Sequence, residues 1–520
     1  MLERPSADVG QRPAAMSARG TARVVYVALS GVLTLLPLLF VGPTDQGIAA
    51  VLAVFAATMI LAGGLFPPEL DRRDFGDVLF LCSLPFLLGF VVRVFLSMTA
   101  FAPVNSVGVL VADPAEFSFD EYSVRALALA VTSWTVLFAA YRLRLGRWIS
   151  SRLPDRSLSN VDLMPIRTAA ILLGIVGWTA RVATMVGGQS EDPLSVESVS
   201  AMTTLFLWLS FLTTAATTVA LFAVFYRRGD RATILLAALL ALGEVVAGLI
   251  TGSRTLLFTP LISVGAMAYL AGRIHLRWRH LMLVPVVLVV IGVTDTYRNP
   301  GMIFNVTGND RDTAARVELA VEESIDQGAH GLAVRGAFNV ALRYHGLHSV
   351  AQILRLGAPS DFSYGASYLA AVPAALVPRF VWPDKPLPQY GLDFGRTYFG
   401  VPEGVGVSIA PTWIGDLLLN LPLPLVPIGM GVLGVLLRTL RDYGGRARRG
   451  GSFATLVYVG VLPLVVQSDS WISTAIWEAT QAIVVLGAAL IVMQSFTSTR
   501  STSGLAANRL GESGSRAAGR

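Results

Sequence analysis

The sequence predicts an all-α, polytopic membrane protein that crosses the bilayer about twelve times. Three observations carry that prediction. Of the 520 residues, 54% are hydrophobic and only 14% are charged, with a mean hydropathy of +0.62, where a soluble domain carries roughly 25% charge. Apolar runs of roughly 20 residues, enough to cross a hydrocarbon core of about 30 Å, recur along the chain. Between them, short arginine-rich loops alternate with short acidic ones, as the positive-inside rule requires.

Residues 1–23 are rich in Ala, Arg and Pro and read as a disordered tail. Spans follow near 24–41, 47–66, 77–98, 125–141, 167–187, 201–226, 232–250, 255–272 and 281–297. After a long polar segment over 298–411, three more are expected near 413–437, 452–467 and 474–494, within 412–496. Residues 497–520, rich in Ser, Gly and Arg, read as a second unstructured tail. The first apolar run is long enough to span, and no cleavable signal sequence is evident. The halves differ in loop length and polar content, which argues against inverted repeats.

Orientation follows from the arginines. With Arg4, Arg12, Arg19 and Arg23 in the cytoplasm, alternation places Arg72 and Arg73 inside, then Arg142, Arg144, Arg147, Arg152 and Arg156. Arg227, Arg228, Arg231, Arg273, Arg277 and Arg279 also fall inside, as do Arg438, Arg441, Arg446, Arg448 and Arg449. Asp45, Asp113, Glu116, Asp120, Glu121, Glu191, Asp192, Glu197 and Asp469 fall outside. Both termini are then cytoplasmic and the 298–411 segment is extracytoplasmic. The net charge of +6 thus sits mostly in short loops on one side of the membrane, which speaks for membrane topology and against nucleic acid. Cys82 is the only cysteine, so no intramolecular disulfide forms.

Long loops cross membranes regardless of charge, so the basic residues of the outer segment need another reason. It carries Arg335, Arg343, His345, His348, Arg355, Arg379, Lys385 and Arg396, and Lys385 is the only lysine in the chain. Residues 331–357 read as a helix interrupted at Gly346, with Arg335, Asn339 and Arg343 on one face. Ionisable residues at membrane depth add to this. Arg93, Arg181, Arg254 and Arg298 lie at one outer level, with Glu244, Asp295 and Glu478 in the same halves of their spans. Snorkelling, or pairing with those carboxylates, is one explanation. A shared site for an anionic ligand is the other, because guanidinium binds phosphate through paired hydrogen bonds.

The Pro-rich phrase Pro378-Arg-Phe-Val-Trp-Pro-Asp-Lys-Pro386 restricts its backbone and would present Arg379, Trp382 and Lys385 from a rigid rim. An indole such as Trp382 is a common sugar platform and equally an interfacial anchor. His345 and His348, without a third ligand nearby, make a weak metal signal. A histidine acting alone as general base fits better, so no metal and no cofactor is expected. Asp416 and Asn420, four apart at the start of the tenth span, share a face near the outer surface.

Gly252-Ser-Arg254, Tyr364-Gly365, the Pro378–Pro386 phrase and Thr412-Trp-Ile-Gly-Asp416 together resemble the Wzy-type oligosaccharide repeat-unit polymerases, a family similar to the O-antigen ligases and other C-type glycosyltransferases. The motifs cover roughly 230–440, and the rest of the chain is similar only in its hydropathy. Such proteins often carry a glutamate where Asp416 stands. The resemblance implies joining of undecaprenyl-pyrophosphate-linked repeat units on the outer face of the bacterial plasma membrane, without metal or nucleotide sugar. A flippase and a chain-length regulator are the companions it suggests. It puts Arg254, Arg335, Arg343 and Arg379 on the pyrophosphate; charge alone adds Arg298 and Lys385. His345 or Asp416 would take the acceptor proton, His345 preferred for its near-neutral ordinary pKa, with Trp382 and Tyr364 stacking on sugar. Metal-dependent C-type enzymes usually place acidic residues in the first outer loop, whereas Gly42-Pro-Thr-Asp-Gln46 has one carboxylate. Two alternatives stay open. One is an en bloc glycan ligase with the same chemistry; the other is a transporter or flippase of lipid-linked sugars, which interior charges also suit.

Overall fold

A computed structural model describes residues 47–54 (except 49), 78–94, 120–186 (except 160), 201–298 (except 228, 252–253, 274–281 and 283), 313–377 (except 344), 381–382, 390–401, 409–446, 451–467 and 469–517. Among these the protein is all-helical, with a single isolated bridge between Ser157 and Ser452. In chain order the helices are α1 (Val78–Phe86), α2 (Glu121–Tyr141), α3 (Arg144–Arg152), α4 (Leu163–Val186), α5 (Ala201–Tyr226), α6 (Arg231–Thr251), α7 (Arg254–Leu270) and α8 (Val284–Arg298). Then come α9 (Thr313–Arg343), α10 (Gly346–Leu356), α11 (Ala366–Leu376), α12 (Tyr390–Phe399), α13 (Thr412–Asn420), α14 (Val426–Gly445), α15 (Phe453–Val466) and α16 (Ile472–Ala517).

Six stretches among the described residues are long and apolar enough to cross a membrane: Glu121–Tyr141, Leu163–Thr184, Trp208–Tyr226, Arg231–Leu249, Leu423–Gly445 and Ile472–Phe496. Val78–Val92, Leu256–Leu270, Val284–Thr296, Ala366–Leu376 and Phe453–Val466 are shorter apolar helices. The first expected span, 24–41, and most of the second lie outside the described residues.

The outward faces read as lipid-facing. On α6 the stripe Leu235, Leu239, Leu242 and Val246 is exposed, while Ala237, Leu240, Glu244 and Ala247 on the opposite face are buried. A water-facing helix would carry its polar groups on the outside, so this inverted pattern matches an apolar solvent.

Inside the bundle, helices approach through small residues, the usual means where lipid supplies no hydrophobic drive. On α4 a Cβ at Gly177 would strike the backbone of Thr213 on α5, and one at Gly434 on α14 would strike the Leu137 carbonyl on α2. The main core joins α1, α2, α5, α10, α13, α14, α15 and α16 through residues such as Phe90, Leu137, Phe222, Leu347, Ile414 and Leu456.

The expected layout changes at several points. Residues 497–517, read from sequence as an unstructured tail, continue helix α16 as far as Ala517. The expected span 413–437 is two helices, because Leu421 turns extended (ψ 146) before Pro422, and the 3₁₀ turn Leu423–Leu425 separates α13 from α14. A residue preceding proline is driven out of the helical region, and proline cannot donate to the helix ladder. In the long polar segment, moreover, the described helix α9 packs directly along α8, an expected span. After a kink at Gly328 (φ 60, ψ 178), the second half of α9 runs antiparallel along α8. There Gly292 faces Leu332 and Gly336 faces Leu288, so closely that a Cβ at either glycine would overlap the opposing carbonyl oxygen. The expected break near Gly346 is present: α9 ends at Arg343 and α10 begins at Gly346.

Candidate functional site

The site is assembled where α10 docks onto α1, α2 and α13. In α10, Leu347, Val350, Ala351 and Ile353 are buried, and Gly346 lies so close to Phe90 and Thr412 that no side chain fits there. Apolar spacing of this kind seats one face of a short helix in the bundle and sets the position of its polar residues. His348 is thereby buried beneath α1, where its Nδ1 accepts a hydrogen bond from Arg93 Nε at 3.0 Å. Arg93 follows a π-helical turn, Leu87–Val92, which re-registers the end of α1. Such turns recur at functional positions.

His345 precedes α10 with φ −102 and ψ 27, is half-buried, and meets the Phe399 ring edge-on at 6.2 Å. At the other end of α10, Arg355 pairs with Asp120, the residue capping α2 through the Ser123 amide at 2.9 Å. Burial alone would push the Asp120 carboxyl up; the hydrogen bonds from Arg355 and Ser123 outweigh it and hold the carboxyl below its ordinary value.

A second cluster forms on α13. Its first residue, Thr412, has φ 68, a conformation strained for a β-branched side chain. Asp416 is buried, accepting from the Ile472 amide at the start of α16 at 2.7 Å and from Asn420 Nδ2 at 2.9 Å. Asn420 Oδ1 accepts in turn from Ser367 at 2.8 Å and from Ser363, while the Asn420 carbonyl accepts from the Tyr364 amide at 3.0 Å. The Tyr368 phenol points at Asp416 and Asn420 without a well-aligned hydrogen bond. Tyr364 (φ 47) and Gly365 (φ 84) form a left-handed turn that leaves the Tyr364 side chain 66% exposed.

Between these clusters lies a small cleft lined by Phe86, Phe90, Trp134, Thr412, Trp413 and Asp469. The indole N–H groups of Trp134 and Trp413 are buried there with no acceptor among the described residues. Trp413 falls within the Thr412–Asp416 motif, whereas nothing in the sequence marks Trp134 as its neighbour. The Arg93–His348 contact joins residues 255 positions apart, and the sequence carries no sign that they meet.

The arginines expected to share one anionic site divide. Arg181 Nη1 pairs with Glu244 at 2.6 Å, both buried, with Thr214 also donating to that carboxylate at 3.4 Å. Arg335 is buried between two carboxylates, Asp295 at 2.9 Å and Glu323 at 2.5 Å. For Arg181 and Arg335 the pairing explanation therefore describes the arrangement. Arg254 opens α7, Arg298 closes α8 and Arg343 closes α9, all at helix ends, with their side chains outside the described residues. Arg379 and Lys385 lie wholly outside them, and Trp382 is half-buried.

The chain matches no family model, no curated protein and no solved structure.

Proposed function

We propose that the chain polymerises undecaprenyl-pyrophosphate-linked oligosaccharide repeat units into a cell-surface polysaccharide at the outer face of the bacterial plasma membrane. One observation carries the reading. The Tyr364-Gly365 motif and the Thr412–Asp416 motif, which carry part of the resemblance, form one hydrogen-bonded unit through Asn420, beside the half-buried His345 and the Arg93–His348 contact.

In the proposed reaction an acceptor hydroxyl attacks the anomeric carbon of the donor glycan. A glycosidic C–O bond forms, the bond to the pyrophosphate oxygen breaks, and the hydroxyl proton passes to a base. Pyrophosphate already leaves well, so the protein's work is to hold its developing charge and to position the acceptor. Arg254, Arg298, Arg343, Arg379 and Lys385 supply cationic groups for the first task. Arg335, held between two carboxylates, instead locks α9 against α8. His345 is the base in this reading. Asp416, whose oxygens serve the Ile472 amide and Asn420, is the positioning residue that anchors the Tyr364 turn. The Tyr364 ring, exposed on that turn, offers a face to sugar.

The experiment is deletion of the coding sequence in its host, complementation with wild type, R254A or R343A, and sizing of the surface polysaccharide. Loss of long chains, with single repeat units still exported and normal membrane insertion of both variants, is expected. Normal long chains from both would overturn the arginine assignment. The buried Arg181–Glu244 pair within the bundle favours transport as a second reading. Loss of outward movement, with intact polymerisation of units supplied outside, would select it.

A further inference from the structure

The short helix α3 follows α2 after a two-residue break and packs beside the last turns of α14. Its inner face is small: Gly146 sits against Arg438 and Val435, and Ser150 is buried. The contact is fastened by Thr439 donating to the Gly146 carbonyl at 3.3 Å, by Arg446 donating to the Ser150 and Leu153 carbonyls, and by Tyr443 donating to the Pro154 carbonyl at 2.7 Å.

The large residues point the other way. Leu143, Leu145, Trp148 and Leu153 are 53%, 48%, 51% and 38% exposed. Among them stand the exposed Arg144, Arg147 and Arg152, and the Arg152 guanidinium lies 4.2 Å from the Trp148 ring centroid. A soluble amphipathic helix turns its bulky apolar residues toward its own protein. This helix turns them outward at the end of a membrane span, mixed with arginines, as helices do that lie at a membrane surface.

We propose that the outer face of α3 binds the head groups of anionic phospholipids in the leaflet where α2 leaves the membrane, which the arginine-rich loops assign to the cytoplasm. Trp148 and Leu145 enter the acyl–headgroup boundary. Arg144 and Arg152 flank them and bind the phosphate, and Arg152 is already pre-oriented by its stacking on the indole. Charge complementarity selects this occupant over a neutral lipid, whose phosphate carries a compensating cation.

The test uses the full chain in nanodiscs of phosphatidylcholine with a minor fraction of phosphatidylglycerol, counting by native mass spectrometry the lipids that stay with the protein. Wild type is expected to retain phosphatidylglycerol in preference to phosphatidylcholine, and the preference should fall as salt is raised. The double variant R144Q/R152Q should lose about fivefold in preference per arginine, roughly 25-fold in all. W148A should lower retention of both lipids alike. Both arginines are exposed, so the double variant should melt with wild type, and that melting temperature is recorded alongside. An unchanged preference in a normally melting R144Q/R152Q protein overturns the proposal. So does a wild-type protein with no preference, which would leave the face to a protein partner. If R144Q/R152Q melts early, the salt dependence of wild type decides: a salt-insensitive preference rejects it.

Discussion

Arg93 and His348, 255 positions apart in the chain, meet in a buried hydrogen bond from Nε to Nδ1 at 3.0 Å. It fastens the loop helix α10 to the π-turned end of α1. Acceptance at Nδ1 places the ring proton on Nε2, so one contact sets both the tautomer and the ring plane of His348. Truncation in H348A leaves a guanidinium without that acceptor at a buried position. A hydrogen bond to a charged group is worth roughly 1.5–3 kcal/mol, so H348A should melt measurably below wild type, with H348Q recovering part of the loss. Equal melting of H348A and wild type would show that the contact does not hold α10 down.

Asn420 ties the α13 cluster together, since its side chain serves Ser363, Ser367 and Asp416 at once. N420A should loosen the Tyr364 turn while sparing His345. In a polymerisation assay with purified lipid-linked units, KM should rise several-fold with a smaller change in kcat. A fall in kcat alone would place Asn420 in the chemistry rather than in positioning.

The Arg181–Glu244 pair gives a test of what its helices tolerate. Both groups are buried, so R181A leaves a carboxylate without its countercharge and should cost about 3–5 kcal/mol. Replacing both, as R181M/E244L, should cost far less or nothing, because desolvation of the two charges is then also removed. Thermal unfolding of the three proteins in one detergent measures the difference. If instead the double variant loses activity while melting normally, the pair takes part in function.

Acid should weaken the Asp120–Arg355 tie. Its folded carboxyl lies below the ordinary value, which is about 3.9 in an unfolded chain. The stabilisation it gives is therefore present above that value and lost as pH falls through the lower, folded value. Wild type should out-melt D120N by up to about 1 kcal/mol near neutral pH, as is usual for partly exposed pairs. The gap should close in acid below about pH 3.9. A gap that persists there would show that the Asp120 charge does not carry the contribution, since asparagine keeps the cap.

Much of the helical layout was legible because spans announce themselves by composition, and Arg231–Leu249 or Ile472–Phe496 needs no tertiary information to be recognised. The break at Leu421 was also written in the sequence, in Pro422 and Pro424, but hydropathy averages over a window and passes across it. Pairings were not legible. Arg181 and Glu244 both stand out in the sequence, yet which arginine meets which carboxylate depends on helix rotation, and that is set by contacts such as Gly177 against Thr213. The helix α3 was read only as an inside loop with many arginines. Its nine residues are too few for a hydropathy window, and its orientation becomes visible only once Gly146 is seen against α14.

The close approach of α8 and α9 bears on ancestry. Where carbonyl oxygens already occupy the space of a Cβ, Gly292 and Gly336 cannot drift to alanine without forcing the two helices apart. Lipid-facing positions such as Leu235 can exchange among apolar residues with little penalty, so overall similarity decays quickly in a chain of this kind. The glycine pair should therefore be among the last positions to change. A distant cousin too diverged to align should still carry one glycine in the span before its long polar segment and a second in the helix that folds back along it.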